Sequence, residues 1–114
     1  MQGKRTDRVG HLIQMELSQL VLHRVKDPRL GFVTITHVEV SPDLRAARVF
    51  YSTLGDEKQR ENTQIALTKS AGFLQRELGA AIKIKHTPKL RFIFDDSLDQ
   101  GLSIDATLKK IHED

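Results

Sequence analysis

The residues best suited to chemistry in this sequence are basic, and they are concentrated in one stretch. Positions 69–91 contain six lysine and arginine residues and a single carboxylate, Glu77. This stretch therefore carries a formal charge of +5, whereas the whole chain carries +3. Neutralising phosphates, with release of their counterions, is the usual function of such an arrangement, and a solvated protein face is the alternative. The six residues are Lys69, Arg76, Lys83, Lys85, Lys89 and Arg91.

Three small residues, Ser70, Ala71 and Gly72, stand inside this stretch, in a segment that otherwise has the pattern of a helix. Glycine inside a helix costs about 1 kcal/mol relative to alanine. The helix therefore either bends there or lets another group approach its backbone. In RNA-binding folds built on helix pairs, a glycine-containing turn brings backbone amides close to phosphates. Close packing of another helix against Ala71 and Gly72 is the alternative that these residues leave open.

The spacing of the other basic residues favours contacts with a nucleic-acid backbone. If the chain is extended there, Lys83 and Lys85 lie on one side, and Lys89 and Arg91 repeat this spacing on the next strand. Aromatic residues make up only 5% of the chain and there is no tryptophan, which argues against recognition by stacking several bases on a sheet. Secondary contacts are expected from Arg45 and Arg48.

Residues with catalytic or metal-binding patterns are missing from the sequence. The five histidines have no metal-ligand spacing, there is no cysteine, and neither a nucleophile elbow nor a phosphate-binding glycine loop is present. The neighbouring carboxylates Asp95 and Asp96 follow a predicted strand, where a structural or solvated role is expected. The sequence thus predicts a protein that is not an enzyme and has no catalytic residue, metal site or cofactor.

Length and composition describe a single domain over residues 1–114. A chain of this size can bury a core without disulfides, and the absence of cysteine suits a reducing cytosol. The N-terminus lacks the apolar stretch of a secretory signal, and no apolar run approaches the roughly 18 residues needed to span a bilayer. We expect a soluble, cytoplasmic monomer with no membrane partner.

The hydrophobic pattern predicts an α+β fold. Apolar spacings of three and four indicate a helix over residues 5–26, and two β-branched runs joined by "SPDL" indicate an antiparallel hairpin. A helix capped by Asp56 then continues its apolar stripe through residues 70–72, as one kinked helix or two abutting helices. A last strand at residues 90–94 and a C-terminal helix complete the chain, with the helices on one face of a small sheet.

Three segments of the sequence closely resemble bacterial ribosome-binding factor A: "RVGHLIQMELSQLV", "KDPRLGFVTITHVEVSPDLRAARVFYS" and "PKLRFIFDDSLDQG". The resemblance extends from residue 5 to about residue 111, and the runs 27–34 and 40–44 are its most specific part. It implies a type II KH-like domain in which an interhelical Ala-x-Gly kink replaces the usual G-x-x-G loop. The matching positions here are Ser70, Ala71 and Gly72, with serine in place of the usual alanine.

The resemblance also implies a function. Members of the family bind the small ribosomal subunit late in assembly, act on 16S rRNA, assist maturation of the rRNA end and are linked to growth in the cold. Ribosome-assembly GTPases are further partners by analogy with the family. The hypothesis is therefore an assembly factor that holds immature rRNA. A KH-type binder of single-stranded RNA without ribosomal specificity, and a protein-interaction module with a basic face, remain the alternatives.

Overall fold

The computed structural model describes residues 2–96. Its elements are α1 (Gln2–Arg24), β1 (Val33–Val40), β2 (Ala46–Thr53), α2 (Glu57–Ile82) and β3 (Lys89–Phe94). The predicted order of helix, hairpin, helical segment and strand is confirmed over these residues. The predicted C-terminal helix lies outside them. Neither of the two helices is long and apolar enough to cross a membrane.

Helix α1 is positioned by the apolar stripe that the sequence showed. Ile13, Leu17 and Val21 recur every four residues, and all three are buried. Because side chains four apart lie on one helix face, this stripe packs α1 against the sheet and α2. The helix begins at Gln2 and ends at Arg24, so it starts earlier and stops sooner than predicted. A tight turn follows, in which the Leu30 amide donates to the Asp27 carbonyl at 2.9 Å.

The hairpin forms as predicted, with "SPDL" as its turn. The Leu44 amide donates to the Ser41 carbonyl at 2.8 Å, which closes the turn around Pro42 and Asp43. Leu44 itself takes a positive φ of 61°. The strands pair antiparallel from Val33 opposite Thr53 to Val40 opposite Ala47.

A bulge in β1 explains why its inward face could not be read from the sequence. The pairing register shifts between Ile35 and His37, which places an extra residue, Thr36, in the strand. Ile35 and Val38 are therefore both buried although they are three residues apart. The Thr36 hydroxyl donates to the Asp95 carboxylate at 2.5 Å, so Asp95 has the structural role that was expected of it.

The sheet has the order β1-β2-β3, with β3 parallel to β2 at the edge. Leu90 and Phe92 point inward, whereas Lys89 and Arg91 are exposed on the opposite face. Both helices cover the inward face, where the core includes Val49 and other buried apolar side chains. The largest of these are Tyr51, Ile13, Leu17, Leu67, Leu74 and Leu78. The predicted α+β arrangement is confirmed.

Helix α2 excludes one of the two forms predicted for this segment, the pair of abutting helices. It runs without interruption from Glu57 to Ile82 and passes through Ser70, Ala71 and Gly72. The small residues cost little helix stability, about 1 kcal/mol for the glycine. The buried side chains of Leu67, Leu74 and Leu78 hold both halves of the segment on one core. Asp56 caps the helix as predicted, because its carboxylate accepts the Gln59 amide at 2.9 Å.

Candidate nucleic-acid interface

The loop that follows α2, residues 83–88, carries two of the six basic residues of the predicted stretch, Lys83 and Lys85. Lys83 is the C-cap of α2: it adopts the left-handed conformation, with φ 50° and ψ 43°, and its amide donates to the Gly79 carbonyl at 3.2 Å. The sequence interpretation placed Lys83 and Lys85 on an extended segment. This is wrong for Lys83, because the helix cap turns the chain there. Both side chains are nevertheless exposed.

Three clefts meet along this loop. The first is lined by Arg5, Arg8, Asp43, Lys85 and His86, among others. The second is lined by Arg45, His86 and Thr87, and the third by Gly72, Gln75, Arg76 and Thr87. Because His86 belongs to the first two clefts and Thr87 to the last two, the three form one continuous surface. We call these residues, together with Lys83, the loop surface.

The loop surface is strongly cationic. Asp43 is the one carboxylate among its described residues, and it already accepts the Ser41 hydroxyl at 2.6 Å and the Arg45 amide at 3.1 Å. These hydrogen bonds, chiefly that from Ser41, lower the pKa of Asp43. Within residues 2–96, the ion pairs do not involve any arginine or lysine of the loop surface. Among the described residues, no ion-pair partner therefore competes with an external anion for these positive charges.

Gly72 opens one part of the loop surface to close approach. A Cβ atom added there would come near only Arg76 Nη1, at 3.6 Å, which is ordinary van der Waals contact. The described residues therefore do not require a glycine at position 72 for packing. Ala71 differs, because it packs against the core and lines a groove between α2 and β3 with Thr68 and Arg91.

Lys89 adjoins the loop surface, whereas Arg91 lies further along the edge strand. The Lys89 amide donates to the Arg45 carbonyl at 2.8 Å, so these two residues are neighbours. Arg91 is the next exposed residue of β3 and belongs to the groove beside α2. The two side chains share a face of the sheet, as their spacing predicted.

Besides Ala71 and Arg91, which line the groove between α2 and β3, three predicted contact residues lie outside the loop surface. Lys69 and Ser70 line a separate cleft beside the end of α1 and do not line the loop surface. Arg48, on the open face of the sheet, forms an ion pair with Glu39, and its guanidinium lies 5.9 Å from the Phe50 ring centroid. The predicted residues therefore do not form one single patch.

Sequence reasoning missed Arg5, Arg8, Gln75 and Thr87 as members of the surface. The basic run "GKRTDR" near the N-terminus was a signal for the two arginines, but only the tertiary fold brings the start of α1 to the loop after α2. Among residues 2–96, no group of three or more histidine, aspartate or glutamate side chains could hold a metal ion.

Comparison with known proteins decides the family. The model of the family described as ribosome-binding factor A matches residues 5–108. A protein named ribosome-binding factor A from Halothermothrix orenii is 45% identical over 114 residues, which is 100% of this chain and 93% of the relative. This chain belongs to the ribosome-binding factor A family.

Solved structures of the family share the fold. The solution structure of a putative ribosome-binding factor A from Thermotoga maritima is 32% identical, with a TM-score of 0.71, and covers 80% of this chain and 87% of its own. Coordinates of the Thermus thermophilus factor, fitted as a homology model into the cryo-electron microscopy map of its complex with the 30S subunit, give a TM-score of 0.68. They are 21% identical and cover 80% of this chain and 96% of that one. The α+β, KH-like fold predicted from the sequence is therefore that of the family.

Proposed function

We propose that this chain is a ribosome assembly factor that binds the small subunit and its 16S rRNA during late maturation. The observation that carries the proposal is the loop surface, on which basic side chains from α1, the hairpin turn, α2 and loop 83–88 converge around one engaged carboxylate. Membership of the ribosome-binding factor A family supports the choice of ribosomal RNA as the polyanion. So does the Thermus relative, which was fitted into a 30S complex.

The mechanism needs only binding. Basic side chains neutralise rRNA phosphates and release their counterions, which makes the affinity depend on salt. At Gly72 an rRNA backbone can come close to α2, because glycine has no side chain and the nearest neighbouring group there is the cationic Arg76 guanidinium. The factor favours one rRNA conformation to the extent that it contacts that conformation better than the others. Holding the rRNA in this way would assist maturation of its end and matter most in the cold, where misfolded RNA structures rearrange slowly.

The same proposal covers partners and location. The chain acts as a monomeric binding factor in the cytoplasm, not as an enzyme, and it needs no cofactor of its own. Its release from the subunit comes from rearrangement of the rRNA or from another factor, for which ribosome-assembly GTPases are the candidates.

Sedimentation of cell lysates on a gradient tests the proposal. The tagged wild-type chain should migrate with free small subunits and not with translating ribosomes. The variant with Lys83→Glu and Lys85→Glu should shift to the top of the gradient, because two phosphate contacts become repulsions. The variant Lys58→Glu is the control, since Lys58 is an exposed lysine at the start of α2 and lies outside the loop surface.

Two outcomes would contradict the proposal. A uniform distribution of the wild-type chain over all RNA would indicate a KH-type binder without ribosomal specificity. Association with a partner that survives complete nuclease digestion of the lysate would indicate a protein-interaction module.

A further inference from the structure

We propose that the cleft between the end of α1 and the middle of α2 binds a second stretch of RNA backbone, separate from the one at the loop surface. The inference rests on the proposed function and extends it from one contact region to two. The cleft is lined by Arg24, Lys26, Arg29, Lys69, Ser70 and Phe73, together with Val25, Asp27 and Pro28. We call it the 24–29 cleft.

The charge of the 24–29 cleft suits a chain of phosphates. Four of its lining residues are basic and one is acidic. Lys26 comes from the segment after α1 and Lys69 from α2, and both side chains are exposed. Positive groups from two different elements thus face one open cleft. If RNA covers these basic groups, its phosphates pair with their charges. Covering the same groups without an anionic partner would cost free energy.

The one carboxylate in the cleft is already engaged. Asp27 accepts two hydrogen bonds from the Arg29 side chain, from Nε at 3.0 Å and from Nη2 at 2.6 Å, and a third from the Arg29 amide at 2.9 Å. The bidentate pair fixes the orientation of the guanidinium. A guanidinium has five N–H donors, so three remain for an incoming phosphate. Asp27 therefore acts as the group that positions Arg29.

Arg24 and Phe73 add a second kind of contact. The Arg24 guanidinium lies 5.8 Å from the Phe73 ring centroid and is 3.3 Å from Glu77 Oε1. This ion pair is more than half exposed on the arginine side, and such surface pairs contribute little stability. A phosphate can therefore compete for Arg24. The Ser70 hydroxyl beside it is a further hydrogen-bond donor.

The 24–29 cleft and the loop surface are separate regions. They have no lining residue in common, although α2 contributes to both: Lys69, Ser70 and Phe73 to the first, and Gly72, Gln75 and Arg76 to the second. A factor with two such regions can hold two rRNA segments at once. Binding the second segment then becomes an intramolecular step, which strengthens the overall affinity.

Amide chemical shifts of the 15N-labelled full chain, titrated with a six-nucleotide single-stranded RNA, test the inference. Two separate sets of amides should shift. One comprises residues 24–27, 29, 69, 70 and 73, and the other comprises residue 72 and residues 83–87. In the variant Lys26→Glu/Lys69→Glu the first set should stop responding while the second still shifts. The variant Lys83→Glu/Lys85→Glu should show the reverse, and Lys58→Glu should change neither.

Binding of purified small subunits supplies the second readout. The variant Lys26→Glu/Lys69→Glu should lower the slope of log affinity against log salt by about 1.5, because two phosphate contacts are lost. The inference would be overturned if the wild-type amides at residues 24–29 did not shift with RNA, or if the salt slope of the variant were unchanged. The proposed function would still stand in that case, provided that residues 83–88 respond. If neither region responds and the wild-type chain does not bind subunits, the proposed function itself has failed.

Discussion

Two turns of the same helix use a glycine in different ways. At Gly79 an added Cβ would lie 2.3 Å from the Thr87 hydroxyl oxygen, so the missing side chain lets loop 83–88 pack against α2. At Gly72, seven residues earlier, an added Cβ would meet only Arg76 Nη1 at 3.6 Å. Packing explains the glycine at 79 and does not explain the glycine at 72. Within residues 2–96, this difference supports the proposal that position 72 serves a contact made from outside.

Lys83 belongs with Gly72 in this comparison. It holds a left-handed backbone conformation that glycine adopts without strain and that costs other residues about 1 kcal/mol. A glycine there would give a more stable helix end, and an alanine at 72 would give a more stable helix. The loop surface thus contains two residues that are not the most stable choices, which is typical of functional surfaces.

The largest expected effect on stability is at Gly79. The variant Gly79→Ala should lower the free energy of unfolding by about 1–2 kcal/mol, because overpacking against Thr87 exceeds the gain in helix propensity. In the variant Thr87→Ala the oxygen is absent, and the same change should become neutral or stabilising. Chemical denaturation of the wild type, the two single variants and the double variant gives the interaction energy between positions 79 and 87. Additive effects would show that the contact between Gly79 and Thr87 does not limit packing.

The second effect is at Lys83. The variant Lys83→Gly should raise the free energy of unfolding by about 1 kcal/mol, because the left-handed strain is relieved. The same variant should bind 16S rRNA more weakly, since a charge is lost. Denaturation and filter binding on one preparation measure both. Arg45→Gln is the matched control for the loss of charge, as it removes a loop-surface cation at a residue with no positive φ. A stability gain with unchanged binding would remove Lys83 from the interface.

A smaller effect is expected at Gly72. The variant Gly72→Ala should stabilise the protein by up to about 1 kcal/mol, since alanine favours the helix and the added methyl group meets only Arg76 Nη1, at an ordinary contact distance of 3.6 Å. RNA affinity should fall at the same time because the methyl group keeps a phosphate further from the backbone. Isothermal titration with an rRNA fragment checks this. Destabilisation by the alanine would instead show that position 72 is packed.

The smallest effect concerns the Asp27–Arg29 pair, which lies outside both turns of α2. Hydrogen bonds from Arg29 lower the pKa of Asp27 from 3.8 to about 2. The stability that this carboxylate contributes is therefore fully present above about pH 4 and is lost as the pH falls towards 2. The variant Asp27→Asn should make the decline in stability between pH 4 and pH 2 shallower. Thermal denaturation of both proteins between pH 4 and pH 2 measures this difference. An equal decline in stability for the two proteins would contradict the account.

The sequence predicted the elements better than the contacts between them. The hairpin follows from its two β-branched runs, and "SPDL" closes the turn it was expected to close. The bulge at Thr36 was not predictable, because nothing local distinguishes it from the rest of a strand that is apolar on both faces. Residues 70–72 remain helical because packing on both sides outweighs a small loss of propensity.

The candidate site was predictable only in part, for a similar reason. The dense positive charge of residues 69–91 supplies several members of the loop surface, but the direction of each side chain depends on the fold. Lys69 and Arg76 lie on nearly the same side of α2 but about two turns apart along its axis, and they line different clefts. Arg5 and Arg8 line the same cleft as Lys85 because of the tertiary fold, which the spacing of residues along the sequence does not reveal.

The salt dependence of binding to small subunits tests the central claim most directly. The wild-type chain should be compared with Lys83→Glu/Lys85→Glu/Lys89→Glu, with folding of both confirmed by circular dichroism. If the loop surface holds the rRNA backbone, the variant should lose affinity by on the order of 100-fold, and its slope of log affinity against log salt should be lower by about 2. Parallel slopes and equal affinities for the two proteins would contradict the account.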